Sequence, residues 1–419
     1  MAEFFSISSY IIYMEVQFMD QNNKKGTLQV LLGAAFLMAT SAIGPGFLTQ
    51  TTVFTQQLLA SAAFAIAITI IVTGIVQLNI WRILCVSKLR AQDVANKVIP
   101  GLGYFLAFAV ALGGLAFNVG NVGGSALGMN TMMGLPIQYG AVISAAIAIL
   151  IFLNKDLGKA MDRFTQILGF LMIALMLYVA VKAAPPVAIA AKEVVAPTKI
   201  SWMVILTLIG GTVGGYISFS GAHRLLDAGI HDPHDATKAA MNGIVVTSVM
   251  RVLLFLAVLG VVYVAAGQPA VVLDAGNPAA DAFRKGAGEI GFRMFGVVLW
   301  AAGVSSVIGA SYTSVSFLRT LFKTIDNNYR WWMIGFICAS TAINIFIARP
   351  VALLILAGSI NGLILPLALA SILLGAYKKD VVGETYRHSY VLAACGWAVV
   401  GFTLWMGVRA LPGIMKIFG

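Results

Sequence analysis

The residues of this chain whose types and spacing could do chemistry are neutral hydrogen-bonding groups set beside interrupted backbone. Gly44-Pro45-Gly46 lies inside the apolar stretch "MATSAIGPGFLTQ", where glycine and a proline without an N–H interrupt a helix. A second stretch, "LIGGTVGGYISFSGAHRLLDAG", places Gly210, Gly211, Gly214 and Gly215 ahead of Ser220-Gly221. Non-helical backbone at membrane depth is tolerated where it is enclosed by protein or lines a watered cavity, so unwinding at Gly44–Gly46 and near Ser218–Gly221 should face a solute. Half-helices beginning near Phe47 and Ala222 would present orphan N–H groups and a partial positive charge, suited to a carboxylate. The opposing ends, near Ile43 and Phe219, would present carbonyls suited to a sodium ion. Thr49, Gln50, Asn118, Asn121, Ser218 and Ser220 could add neutral hydrogen bonds, and Phe47 either an apolar wall for a carbon skeleton or ordinary packing.

Several other groups have two readings each. Ser305, Ser306, Ser311, Thr313 and Ser314 form a hydroxyl cluster that could bind an ion, or bond back to their own helix. Arg251 falls midway along an apolar run; it could pair with a substrate carboxylate, replace a coupling cation, or snorkel to the interface. His223, Arg224 and Asp227 read as an inner gate, Arg224 and Asp227 being i, i+3 neighbours able to pair, or as a solvated helix end. "HDPHD", residues 231–235, looks like a metal-rich string, but its proline favours helix capping by Asp235. Cys85, Cys338 and Cys395 lie in or at the ends of apolar runs and form no disulfide framework or thiolate metal site.

The elements that must position these groups are membrane helices. Of 419 residues 60% are hydrophobic and 10% charged, and the mean hydropathy is +0.92, outside the range of soluble domains. About eleven apolar runs can span a bilayer: 28–55, 59–81, 102–133, 137–153, 164–182, 201–223, 240–266, 292–317, 331–348, 350–376 and 389–411. The net charge of +11 is dispersed through short loops, which argues against nucleic acid. Loops bearing Lys24, Lys25, Arg90, Lys97, Lys155 and Arg163 alternate with poorer ones, placing the N-terminus in the cytoplasm of a multi-pass cell-membrane protein. Residues 1–26 read as an uncleaved tail, and the polar intervals 183–200 and 267–291 are too short for a soluble domain.

An interruption opening each set of five helices is the pattern of an inverted-repeat transporter with its site at the repeat interface. The expected architecture is all-α: a core over 27–376, with repeats at 27–182 and 199–376, and a last loop and helix over 377–419. Gly103, Gly113, Gly114, Gly123 and Gly124 read as close-packing glycines.

The run "LGAAFLMATSAIGPGF", Leu32 to Phe47, resembles the first helix of the natural resistance-associated macrophage protein (NRAMP) family of divalent-metal transporters, which ends in Asp-Pro-Gly-Asn. Pro45 and Gly46 match; Gly44 stands for the aspartate and Phe47 for the asparagine. "NVGNVGGSALGMNTMMGLP" is similar to the third helix, with Asn118 and Asn121 where Asp and Glu are usual, and "AAGVSSVIGASY" to the eighth. The family's Met-Pro-His aligns with Ser220-Gly221-Ala222; on another alignment His223 stands for its histidine, and Asp227 falls near a second one. The resemblance implies a LeuT-like fold, with helices one and six broken at the midplane.

These substitutions remove the carboxylate, the methionine and the proton acceptors of the family's site, so the expected protein is not a transition-metal carrier; with no Gly-x-Ser-x-Gly nucleophile elbow and no His-Glu-x-x-His zinc pair, it is not expected to be an enzyme either. The expectation is a secondary transporter of a small organic acid or amino-acid derivative, with Na⁺ or H⁺ coupling and no other cofactor. In sodium-coupled relatives of the fold, hydroxyls of helix eight join carbonyls of helix one, which assigns Ser305 and Ser306 with Ile43 and Phe219 to Na⁺. Relatives lacking the metal motif point to 5-oxoproline. The alternative is a divalent-cation importer for Mg²⁺ or Mn²⁺ with a non-standard site; the expected assembly is a monomer or loose oligomer.

Overall fold

The computed structural model describes residues 31–35, 39, 41–264 and 271–418; the expected tail, 1–26, lies outside them. Among the described residues nine helices are long and apolar enough to cross a membrane. One of these, Pro45–Ser87, divides at a 3₁₀ turn, Leu59–Ser61, and the 17-residue Ile137–Leu153 is a further, shorter apolar helix. With that division and that helix the eleven expected segments are all present.

The first span is helical at 31–35 and 41–42, bends at Ile43 and Gly44, and resumes as α1, Pro45–Leu58. There follow α2, Ala62–Ser87; α3, Ala91–Val98; α4, Leu102–Met133; α5, Ile137–Leu153; α6, Lys155–Ala183; and α7, Val187–Val195. The sixth span is split into α8, Trp202–Val213, and α9, Ile217–Asp227. Beyond it run α10, Pro233–Val262; α11, Pro278–Arg319; α12, Lys323–Asn327; α13, Tyr329–Ile347; α14, Pro350–Gly375; α15, Lys379–Val382; and α16, Tyr390–Phe418.

Three local features depart from the expectations. The sixth span breaks at Gly214–Tyr216 and not at Ser218–Gly221. Gly215 takes a left-handed φ of +52°, and the Asn361 amide oxygen fills the space a Cβ there would need, so only glycine fits. Ser218 and Ser220 instead bond back to Val213 and Ile217 and belong to α9. Second, α10 is capped by Asp232, not Asp235: Pro233 occupies the first turn and the Asp232 carboxylate accepts from the His234 N–H at 2.7 Å. Third, both polar intervals carry short helices, α7 in one and the start of α11 in the other. There the Asn277 side chain caps the helix by accepting from the Ala280 N–H, and Gly288, at φ +70°, breaks the helix before its membrane portion.

The span α8–α9 is the axis of the bundle: 94% of its most apolar window is buried. Hydrophobic burial gives little drive between helices in lipid, so close approach of small residues holds them together. Gly128 of α4 meets the backbone of Trp300, and Gly303 of α11 meets Ser125. Gly103, Gly113, Gly114, Gly123 and Gly124 all lie against neighbouring atoms, as their packing reading anticipates.

The tightest crossing is that of α8 and α14. A Cβ on Gly210 would sit 1.9 Å from the Gly358 carbonyl oxygen and 2.3 Å from the Gly362 nitrogen, backbone atoms that cannot step aside. Gly210→Val should therefore destabilise the protein by at least about 3 kcal/mol. Gly401→Val, at a position with nothing within 4 Å, should be neutral. Thermal unfolding in detergent checks this: equal midpoints for the two variants would refute the crossing.

Candidate functional site

Two elements that end without side-chain caps meet at the centre of the bundle. Gly44 is extended, with φ −90° and ψ −174°, and α1 begins at Pro45 without a side-chain cap from its N-cap residue. Pro45 fits because Gly124 leaves room: a Cβ there would lie 2.1 Å from the proline ring. Gly44 is itself closely approached. Its missing Cβ would be 2.6 Å from Ser306 Oγ and 3.4 Å from Asn121 Oδ1, so α4 and α11 converge on the first break.

The second break contributes Tyr216. Its hydroxyl donates to the Ser41 carbonyl at 3.4 Å, while its ring lies edge-on to Phe117 at 5.7 Å. Asn121 is 2% exposed, and its Nδ2 has no partner among the described residues. Asn118, one turn away, gives its Nδ2 to Ser311 and Ser340, at 3.2 and 2.8 Å; its Oδ1 is unpartnered among them. The arrangement is a neutral cradle of Gly44, Gly46, Phe117, Asn121, Tyr216 and Ser306. Tyr216 and Phe117 were not singled out in the sequence; the tyrosine following four glycines was the available signal.

Other expected site residues lie elsewhere. Gln50 is wedged between Gly211 and Gly358 and donates to the Leu354 carbonyl at 2.7 Å, bracketing α1 to α14. Thr49 is buried in α1. Gly221 faces Trp81 of α2, whose indole N–H donates to the Ser218 carbonyl at 3.0 Å. Phe219 is not at a helix C-terminus: it lies inside α9 against Phe317 and His223, and the carbonyl end of the break belongs to Val213. Ser305 and Ser306 diverge. Ser306 reaches Gly44, whereas Ser305 donates to Ala302 and borders an apolar cavity of about 250 Å³ with Ile43, Leu48, Met172 and Met250.

The gate residues also separate. His223 is fully buried, its Nδ1 within 2.9 Å of Ser316 Oγ. The expected Arg224–Asp227 pair does not form. Arg224 is exposed, and Asp227 is held by Arg90, at the start of α3, at 2.5 Å and by the Tyr312 hydroxyl of α11. That latch joins three separate elements at one end of the bundle, which an i, i+3 pair could not do.

Arg251 does not snorkel. It is 1% exposed; Nη2 donates to Thr212 Oγ1 at 2.7 Å, and the guanidinium stacks 4.0 Å from the Phe47 ring centre. Phe47, also buried, therefore packs under the arginine. Among the described residues no three His, Cys, Asp or Glu side chains gather as a metal site.

Comparison with known proteins yields concordant matches. A family model described as natural resistance-associated macrophage protein-like matches residues 35–411. An uncharacterized membrane protein of Bacillus subtilis, YcsG, is 52% identical over 401 residues, covering 95% of this chain and 98% of its own. A manganese transporter of Eremococcus coleocola superposes with a TM-score of 0.71 at 16% identity, over 93% of this chain and 88% of that one. MhsT, solved with L-phenylalanine, superposes at 0.60 and 16% identity, over 92% and 97%. At such identities the solved structures share the fold, and the fold holds solutes as unlike as these.

The latch generates a prediction. Asp227→Asn removes the charge shared by Arg90 and Tyr312; losing about 1 kcal/mol of closure corresponds to about a fivefold shift between closed and open forms. With Cys85, Cys338 and Cys395 replaced by serine and Ser316→Cys as reporter, maleimide labelling should accelerate about fivefold in the Asp227→Asn background. An unchanged rate would show that the contact does not gate this end.

Proposed function

The chain belongs to the natural resistance-associated macrophage protein-like family, and on that premise we propose that it is an alternating-access secondary transporter of a small organic acid or amino-acid derivative. The coarser part, a membrane transporter with the LeuT fold, follows from the family and its structural neighbours. The substrate class rests on one observation: the cradle at the first break offers hydrogen-bond donors and contains no carboxylate.

Its donors are the N–H groups of Gly46 and Phe47 at the uncapped start of α1 and the unpartnered Asn121 Nδ2, with the Tyr216 hydroxyl, whose proton goes to the Ser41 carbonyl, closing the side of the cradle. A dication entering this place must shed water and finds no acidic oxygen in return, a desolvation deficit of several kcal/mol at least. A carboxylate meets the positive end of a helix and charge-assisted hydrogen bonds. A five-membered lactam acid such as 5-oxoproline fits this donor set. Its carboxylate belongs at the start of α1, its lactam oxygen at Asn121 and its carbon skeleton on Phe117. Phe117 takes over the role first given to Phe47, whose ring Arg251 covers.

For coupling we assign Na⁺ to the Ile43 carbonyl and Ser306, beside the unwound turn, with H⁺ as the competing ion. The site lies in the cell membrane, with the N-terminus in the cytoplasm. Substrate passes between the Asp227 latch and the opposite face as the two repeats rock.

Proteoliposome uptake tests the proposal. Labelled 5-oxoproline should accumulate down a sodium gradient and be displaced by other small carboxylates. Gly44→Asp, which places an anion next to the bound carboxylate, should weaken uptake at least tenfold, about 1.4 kcal/mol or more. Ser306→Ala should reduce the sodium response. Accumulation of Mn²⁺ or Mg²⁺ undiminished by excess carboxylates, with no uptake of any organic acid, would overturn the reading in favour of the divalent-cation importer.

A further inference from the structure

Arg251 sits within a membrane-spanning helix, is 1% exposed, and forms no ion pair with a carboxylate among the described residues. The nearest acidic residue in its own helix, Asp235, is four turns away in the first turn of α10. Stacking on Phe47 and the bond to Thr212 satisfy one face and one nitrogen of the guanidinium. Nε and Nη1 have no hydrogen-bond partner among the described residues. A buried cation left in that condition costs several kcal/mol, so a counter-charge should be within reach.

Beside the guanidinium is a cavity of about 10 Å³, the volume at which a single water molecule just fits and which a halide would fill by pressing the lining hydroxyls outward. Arg251 shares its lining with Thr69 and Thr73 of α2, Thr212 of α8, and Thr247 and Ser248 of α10. The proton bookkeeping of this lining decides what it can hold. Thr69, Thr212 and Thr247 donate their hydroxyl protons to carbonyls of their own helices. Thr73 Oγ1 has no partner among the described residues. The free groups around the cavity are thus donors: Arg251 Nε, Arg251 Nη1 and the Thr73 hydroxyl. A cation would meet a fixed positive charge and a carboxylate exceeds the volume; a water can accept from the guanidinium and donate to the hydroxyl oxygens of Thr69, Thr212 and Thr247, but being neutral it leaves the buried charge unbalanced.

We infer that Arg251, Thr73 and Ser248 form a site for a single halide ion, chloride in physiological media, that neutralises the guanidinium between α2, α8 and α10. The site meets the Gly44 cradle through Phe47, whose ring stacks on Arg251, and balances the guanidinium without using the solute carried there. It also ties α2 and α10 to α8, one half of the broken sixth span, so its occupancy stabilises the assembled bundle.

The test needs no transport substrate, so its failure is distinguishable from failure of the proposed function. Purified protein is unfolded thermally while sodium gluconate is exchanged for sodium bromide or chloride at constant ionic strength. The expected result is a saturable rise in midpoint with halide, and anomalous density for bromide against Arg251 in crystals grown with it. Thr73→Val, which keeps the volume and removes the free donor, should weaken the apparent halide affinity about tenfold. Ser248→Asp, which supplies a resident anion at a half-buried position, should remove the halide response while remaining folded. An ordered water only in the cavity, no saturable response in the parent protein, or the same response in both variants would each overturn the inference.

Discussion

Backbone that leaves the helix in the middle of a membrane has to find partners inside the protein, and this constraint governs the centre of the molecule. At Ile43–Gly44 and again at Gly214–Tyr216 the chain gives up helical bonds where lipid offers none in exchange. Each break is supported by side chains from other helices. Tyr216, from the second break, reaches the Ser41 carbonyl just before the first. Ser218 bridges back to the Val213 carbonyl, Trp81 takes the Ser218 carbonyl, and Asn361 presses on Gly215. The donors not consumed in this way, at the start of α1 and on Asn121, define the place where a solute can be held.

The glycine content follows from the same constraint. Bringing two broken helices within hydrogen-bond distance of α4, α11 and α14 requires backbones to approach more closely than side chains allow. Gly124 makes way for Pro45, Gly211 and Gly358 for the Gln50 amide, and Gly210 and Gly362 for one another's helices. Polar side chains at these crossings are accordingly of two kinds. Gln50 and Asn118 are largely spent on tying helices together, whereas Asn121 keeps its amide protons facing the break.

Two charged groups in the bundle, Asp227 and Arg251, are held in different ways. Asp227 stands at one end of the bundle and pairs with Arg90 across elements that must separate if that end is to open. Arg251 is deep, aromatic-stacked and without a carboxylate, and depends on a hydroxyl-lined hollow for its balance. Between them the cradle itself is neutral.

How much was legible beforehand depended on the range of the interaction. Apolar runs long enough to span a bilayer, a proline between two glycines and a run resembling a known family are local signals, and they determined the number of helices, the family and the first break. The position of the second break was not local. It was set by the left-handed turn at Gly215 under Asn361, which lies nearly 150 residues further on, so attention to Ser220-Gly221 placed it about one turn late. Asp227 preferred a distant arginine to its helical neighbour, and Phe47 acquired Arg251, because side chains far apart in sequence meet only once the helices pack. The sequence by itself settled which groups are available. Tertiary packing decided which of them are already spent on other helices and which remain free for a solute, since a hydrogen bond or ion pair is won by the partner nearest in space.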